Sequence, residues 1–453
     1  MILAVSVIAY LLLNMIIGYS ASKKIRTAED FAVAGRRLPF FMASAAFFAT
    51  WFGSETILGA TGEFLENGVL GIIEEPLGAA LCLILVGVFY ARKIYRSGAI
   101  TFSDLFRDRF GMKAELVSAI VMIPSFFTWI AAQFLALGMI FHVLFGVDLW
   151  LAIFIGALLV VLYTTIGGMW AVSMTDSLQM VVIVIGLLLV FFYLYDDLHS
   201  KDLKLIDSQI PMELYNKERL SVWDCLGAWV TVGLGAIASQ DIFQRVVASR
   251  SEKVAVYSSI FSGALYLVIG IVPLIIVLMG QLVYPDLYAV NKENFITTLI
   301  TVTTPQWVQV IFFGALISAI LSTASGALLA PSTVFAENIL KPLNVGKDLL
   351  LNMRISVVIM ALVSVILAFN NQSVFELVSI ASSFGLVSLF IPFTLTLFTS
   401  WVNSSGVIIG MLLGLVTWIL FEWIGSTIPS IFYGMLASFM GVMAGQIPQL
   451  KYK

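Results

Sequence analysis

Long apolar stretches alternate with short polar links thirteen times along this chain of 453 residues. The stretches fall at roughly 1–20, 39–65, 68–91, 116–146, 149–168, 175–195, 220–240, 254–283, 307–337, 352–370, 374–399, 405–423 and 428–447, and are numbered below as spans 1 to 13. Each can cross a hydrocarbon core about 30 Å thick at about 1.5 Å rise per residue. A helix satisfies all its backbone groups internally in that medium, so the pattern predicts an all-α polytopic membrane protein of about thirteen transmembrane helices. Span 9 departs from the rest. It contains GALISAILSTASGALLAPSTVF, which sets Ser318, Ser322, Thr323 and Ser325 within eight residues. A lone membrane hydroxyl usually bonds back to its own helix. A cluster at this depth costs free energy unless it finds partners, which marks it as a functional candidate.

Spans 2 and 7 carry a second irregularity. Span 2 reads FGSETILGATG and span 7 reads VTVGLGAIASQD, both interrupted by small residues. They stand five spans apart and run in opposite directions, the sequence signature of an inverted-repeat secondary transporter. Glycine also lets membrane helices pack closely, but that alone leaves the polar residues flanking both breaks unexplained. A broken helix frees carbonyls such as that of Phe52 to ligate a hard cation. Together with the hydroxyls of Ser322 and Thr323, the break in span 2 outlines an oxygen-lined cation site.

Composition agrees with the span pattern: 60% of residues are hydrophobic, 11% are charged, and mean hydropathy is +1.02. Soluble domains carry about a quarter charged residues. Span 1 is followed by Lys23, Lys24 and Arg26 rather than a small-residue cleavage site, and is expected to be a retained helix. Of 24 Lys and Arg, all but Lys201, Lys204, Lys217, Arg219 and Lys292 fall on alternate links, which places the N-terminus outside and the C-terminus inside. The link from Asp196 to Val222 is long and polar enough for a short surface helix. Cys82 and Cys225 lie in different spans and give no disulfide framework. The chain has no HExxH, Walker loop or GxSxG, so nothing points to an enzyme.

Several motifs resemble one family. They are FAVAGRRLP before span 2, YTTIGGMWAVSMTDSLQ between spans 5 and 6, QDIFQRVVASRS leaving span 7 and AILSTASGALLAPSTVFAENI in span 9. The chain resembles the sodium/solute symporter family, with its proline, pantothenate, sialic acid and sugar symporters. The resemblance implies one integral domain over 1–453 with a five-plus-five inverted-repeat core, the repeats at about 39–195 and 220–399. The helices at 1–20, 405–423 and 428–447 are then peripheral. It implies sodium-coupled import of a small organic solute by alternating access, with Na+ held by Ala49, Phe52, Ala319, Ser322 and Thr323.

Asp176 matches a carboxylate that forms a second, inner sodium site in some relatives, with Ser322 and Ser325. Gly326 stands where those relatives have another serine, which leaves the exit path of sodium as the other role for Asp176. Glu55 matches a substrate-binding position, with Thr56 beside it; Gln133, Glu75 and Gly235 are candidates for the same cavity, and Trp51 and Trp129 for its apolar walls. The small run Gly233 to Ala236 replaces aromatic and amide residues of the sugar transporters, so an amino acid or carboxylate is the favoured solute. The alternatives are a proton-coupled transporter on the same scaffold and a transporter-like membrane sensor. The expected setting is the cytoplasmic membrane, in contact with lipid, as a monomer.

Overall fold

A computed structural model describes residues 2–207, 221–290, 295–346, 348–370 and 373–446. Lys217, Arg219, Lys292, Lys347, Lys451 and Lys453, used above for orientation, lie outside these residues, as do residues 208–220 of the link expected to hold a surface helix. Among the described residues the chain is helical apart from turns and one isolated bridge between Leu38 and Ser249.

Among the described residues nine helices are long and apolar enough to cross a membrane, ten if the bent pair Val222–Ala238 and Gln240–Ala248 counts as one span. Two of them are too long for a single crossing. Leu149–Ser200 has 52 residues and Glu55–Ser97 has 43, about 78 and 65 Å of helix. The first is broken at Gly168 (φ 45°, ψ −148°) and the second turns at Gly68 (φ 65°). Divided at these glycines, and with Phe40–Trp51 leading into span 2 and Ser430–Ala444 as span 13, they restore the thirteen segments of the hydropathy pattern.

Burial sorts the spans into a core and a lipid-facing rim. In span 9, Gln306–Leu340, 83% of the most apolar window is buried against protein, compared with 17% in span 1 and 28% in span 12. The hydroxyl-bearing helix is therefore the axis of the bundle. Its polar side chains meet protein rather than lipid, the arrangement in which intramembrane polar groups are tolerated.

Among the described residues four short α-helices lie outside the spans, the first of them Ala28–Val33 between spans 1 and 2. Phe102–Phe110 begins at a capping box, in which the Thr101 hydroxyl accepts from Asp104 N at 3.0 Å and the Asp104 carboxylate accepts from Thr101 N at 3.0 Å. Pro285–Val290 and Phe295–Thr303 fill the link between spans 8 and 9, which carried no helix in the hydropathy pattern. The helix of span 6 continues to Ser200, with a single 3-10 turn at Leu205–Asp207 beyond it.

The Gly168 break exists because another segment fills it. A Cβ at Gly168 would lie 2.6 Å from both the Phe31 carbonyl oxygen and its ring, in a backbone conformation close to one that only glycine occupies readily. Phe31 belongs to Ala28–Val33, so the motif preceding span 2 is wedged into the corner between spans 5 and 6. Gly168→Ala should therefore cost at least about 2 kcal/mol of stability. Gly146→Ala, at φ +67° with nothing within 4 Å, should cost about 1 kcal/mol. Thermal unfolding of the two purified variants checks this, and equal shifts would contradict it.

Candidate functional site

Span 2 starts as a regular helix, Phe40–Trp51, and stops at Phe52, whose φ of −87° and ψ of 74° are not helical. The carbonyls of its last turn lose the donors that would follow in an unbroken helix. Span 9 supplies a replacement: the Thr323 hydroxyl donates to the Ala49 carbonyl at 3.4 Å. Ser322, one residue earlier, donates to Asp176 Oδ1 at 2.6 Å and keeps its own lone pairs. The Ala49 carbonyl and the Thr323 hydroxyl thus meet from two spans, with Ser322 one residue away on the Asp176 side. Ala319 lies in the unbroken part of span 9, where its carbonyl serves the helix and can offer a ligand only its second lone pair. The donor set of neutral oxygens beside one carboxylate fits a hard monovalent cation.

The other hydroxyls of the ladder have different partners. Ser318 donates to Gly314 O at 2.6 Å and pairs with Tyr10 of span 1 at 2.5 Å. Ser325 turns back onto the Ser322 carbonyl at 3.0 Å.

Beside the cation site lies a cavity lined by Trp51, Glu55, Glu75, Trp129, Gly235 and Asp241, among others. None of its lining residues is Lys, Arg or His. Glu55 accepts from Gln133 Nε2 at 2.8 Å and from the Trp129 indole at 3.4 Å. Glu75 accepts from the Tyr266 hydroxyl at 2.6 Å. Asp241 accepts from the Trp51 indole at 2.8 Å and from Ser239 at 2.5 Å. The indoles of Trp51 and Trp129 meet edge to face, with centroids 6.4 Å apart.

Gly53 joins the two regions. A Cβ there would stand 2.6 Å from Thr323 Oγ1 on one side and 2.5 Å from Glu55 Oε2 on the other. One glycine therefore separates the Thr323 hydroxyl from a carboxylate of the cavity, and a larger residue there would have to push one of these side chains aside.

The structure brings Glu55, Glu75 and Gly235 to the cavity, with both tryptophans. Thr56 and Gln133 sit behind its wall: Thr56 is hydrogen-bonded to Tyr266, and Gln133 holds Glu55 and Ser54. Span 7 breaks slightly later than its glycines suggest, at a 3-10 turn over Ala236–Ala238 and an extended Ser239, with a bend of 52°. That bend aims Asp241 into the cavity. Asp241 and Arg245 stood in the QDIFQR motif just past the expected end of span 7, with Arg245 counted among the basic residues of the following link; the helix Gln240–Ala248 buries both inside the protein instead.

A model described as the sodium:solute symporter family matches residues 31–414. High-affinity choline transporter 1 of Caenorhabditis elegans is 26% identical, covering 91% of this chain and 76% of its own length. The sodium/proline symporter of Escherichia coli (strain K12) is 25% identical over 97% of this chain and 92% of its own. Among solved structures, a Na+-coupled sialic acid symporter in a substrate-bound outward-open state superposes with a TM-score of 0.81 at 20% identity, covering 99% of this chain and 97% of that one. Mhp1, a nucleobase-cation-symport-1 family transporter, gives 0.56 at 15%, covering 93% and 94%. At such identities the two structures speak to the fold, which they share with this all-helical bundle. The chain belongs to the sodium:solute symporter family, a multi-pass membrane transporter of a small solute with sodium as its coupling ion rather than an enzyme.

Proposed function

We propose that this protein imports a small organic cation, or a zwitterion presenting an ammonium group, together with sodium. One observation carries the choice: Glu55, Glu75 and Asp241 converge on a cavity walled by Trp51 and Trp129 and lined by no basic side chain. Carboxylates attract an ammonium group, and indole faces add cation–π attraction that strengthens as water is excluded. A solute bearing only a carboxylate finds no cationic partner in this lining. The small residues of span 7 speak to solute size, and the lining charges speak to its sign. The relatives agree with that sign, since choline carries a quaternary ammonium and proline a secondary one.

Sodium is held by the carbonyls of Ala49, Phe52 and Ala319 and the hydroxyls of Ser322 and Thr323. The Thr323–Ala49 contact and the Gly53 spacing support this reading. Sodium and solute then share one broken helix, so binding of either favours the geometry that the other needs, and the linkage is reciprocal. Glu55, Glu75 and Asp241 face the solute; Thr56 and Gln133 position the groups around them. The two repeats, about 39–195 and 220–399, rock about this site within one domain that works as a monomer in lipid. The basic links face the cytoplasm, with the N-terminus outside.

Two outcomes follow. Thr323→Ala and Ser322→Ala should each raise the sodium concentration for half-maximal uptake by about tenfold or more, as loss of one oxygen contact to a charged species does. Ser318→Ala should stay within about twofold. Sodium titration of uptake in proteoliposomes reads this, and unchanged values for both Thr323 and Ser322 variants would remove the site.

Competition against sodium-driven uptake should rank choline and betaine above proline, with acetate and lactate inert. Asp241→Asn should weaken choline about tenfold while leaving sodium affinity nearly unchanged. A carboxylate without an amine that competes as well as choline would overturn the cation reading.

A further inference from the structure

Spans 7 and 11 meet beside the solute cavity through bare main chain. Val232 and Gly235 of span 7 line that cavity, as do Val378, Ser382, Gly385 and Leu389 of span 11. A Cβ at Gly235 would lie 2.5 Å from the Ser382 carbonyl oxygen, and one at Gly385 would lie 2.7 Å from the Gly235 carbonyl oxygen. A side chain at either position would have to drive the two backbones apart, so the glycines set how closely these helices approach. From Gly385 to Phe390 span 11 is a π-helix, an irregularity that recurs at functional sites.

The other side of span 11 is held as closely. Residues two apart on a helix point to nearly opposite sides, so Val387 turns away from the contact that Gly385 makes. It meets the hairpin of spans 12 and 13, Ser404–Ile424 and Ser430–Ala444. A Cβ at Gly414 of span 12 would lie 2.0 Å from the Val387 carbonyl oxygen, and one at Gly434 of span 13 would lie 2.8 Å from Val387 Cγ1. Leu386 and Val387 pack with Trp418 and Ile431 of that hairpin in a small hydrophobic cluster. The hairpin is itself tightly joined, since a Cβ at Gly441 would lie 2.9 Å from the Gly410 Cα. Span 11 is thus seated between the break of span 7 and two helices expected above to be peripheral.

We infer that the hairpin of spans 12 and 13 is a backstop for span 11 that sets the size of ammonium group the solute cavity admits, with Val387 as its positioning residue. A close-packed interior passes displacement on rather than absorbing it. A larger head group must push span 11 away from span 7, and the seat of Val387 between Gly414 and Gly434 resists that movement. Carboxylates and indoles select the charge of the solute, and the spacing of spans 7 and 11 selects its bulk. Val387 does not line the cavity and acts on the solute only through neighbours such as Gly385.

This inference rests on the cation reading above, and the two fail separately. Sodium-driven uptake of labelled choline into proteoliposomes is competed with tetramethylammonium and tetraethylammonium, which share a charge and differ in bulk. The ratio of their inhibition constants does not depend on how much protein inserts. In the wild type tetramethylammonium should compete better by about tenfold or more, the scale on which an apolar pocket discriminates added methylenes. Val387→Ala leaves room behind span 11 and should cut that ratio to about a third or less. Ile431→Ala, which loosens the same seat from span 13, should lower it as well. Combining Val387→Ala with Gly434→Ala returns a methyl close to where Cγ1 stood, and should restore the ratio to within about twofold of the wild type. Half-saturating sodium should move by less than about twofold in all three variants. Equal inhibition by the two ions in the wild type, a ratio unchanged by both single substitutions, or one that Gly434→Ala does not restore would each overturn the backstop and leave the cation reading standing. A wild type that takes up no choline with sodium would remove the cation reading, and this inference with it.

Discussion

Oxygen atoms inside a hydrocarbon layer must have partners, and this bundle is arranged around that requirement. Span 2 breaks at Phe52 and leaves carbonyls without donors; span 9 carries hydroxyls that a single helix cannot fully use. Neither feature is stable alone. Placing span 9 at the centre of the bundle, buried on nearly all sides, lets each answer the other where the Thr323 hydroxyl meets the Ala49 carbonyl.

The same economy sets the distance between the proposed ion site and the cavity. Because only Gly53 separates Thr323 from Glu55, the ion site and the cavity are two faces of one short irregular segment. Under the proposed function coupling requires no long relay, because a change in the path of the chain at residues 52–54 would alter both sites at once. The polar network around the cavity stiffens that segment. Tyr266 bonds both Glu75 and the Trp51 carbonyl, while Gln133 holds Ser54 and Glu55. Buried networks of this kind fix one geometry when their members are satisfied.

The buried charges around the candidate site divide into two groups. Glu55, Glu75 and Asp241 are held by indole, hydroxyl and amide donors and face the cavity, where a solute can meet them. Arg245 and Asp176 are sealed within protein, against Gly326 and Ser322 respectively. Gly326 illustrates how a missing side chain can reflect what occupies the space instead: a guanidinium reaching across from span 7.

The sequence by itself determined the class of protein, the span pattern, the two interrupted helices and the hydroxyl cluster at Ser318 to Ser325. Each follows from local physics, namely hydropathy over about twenty residues, small residues that weaken a helix, and polar groups at membrane depth. It could not determine which hydroxyl faces which neighbour. Ser322 and Ser325 are equally polar in sequence, yet one reaches Asp176 and the other returns to its own helix. Gln133 and Thr56 read as cavity residues but stand behind its wall, and Asp241 enters the cavity only because span 7 bends by 52° just before it. Periodicity fixes which residues share a helix face. The helix crossings, the two breaks and the volume of Arg245 decide what that face meets, and those are properties of the packed bundle.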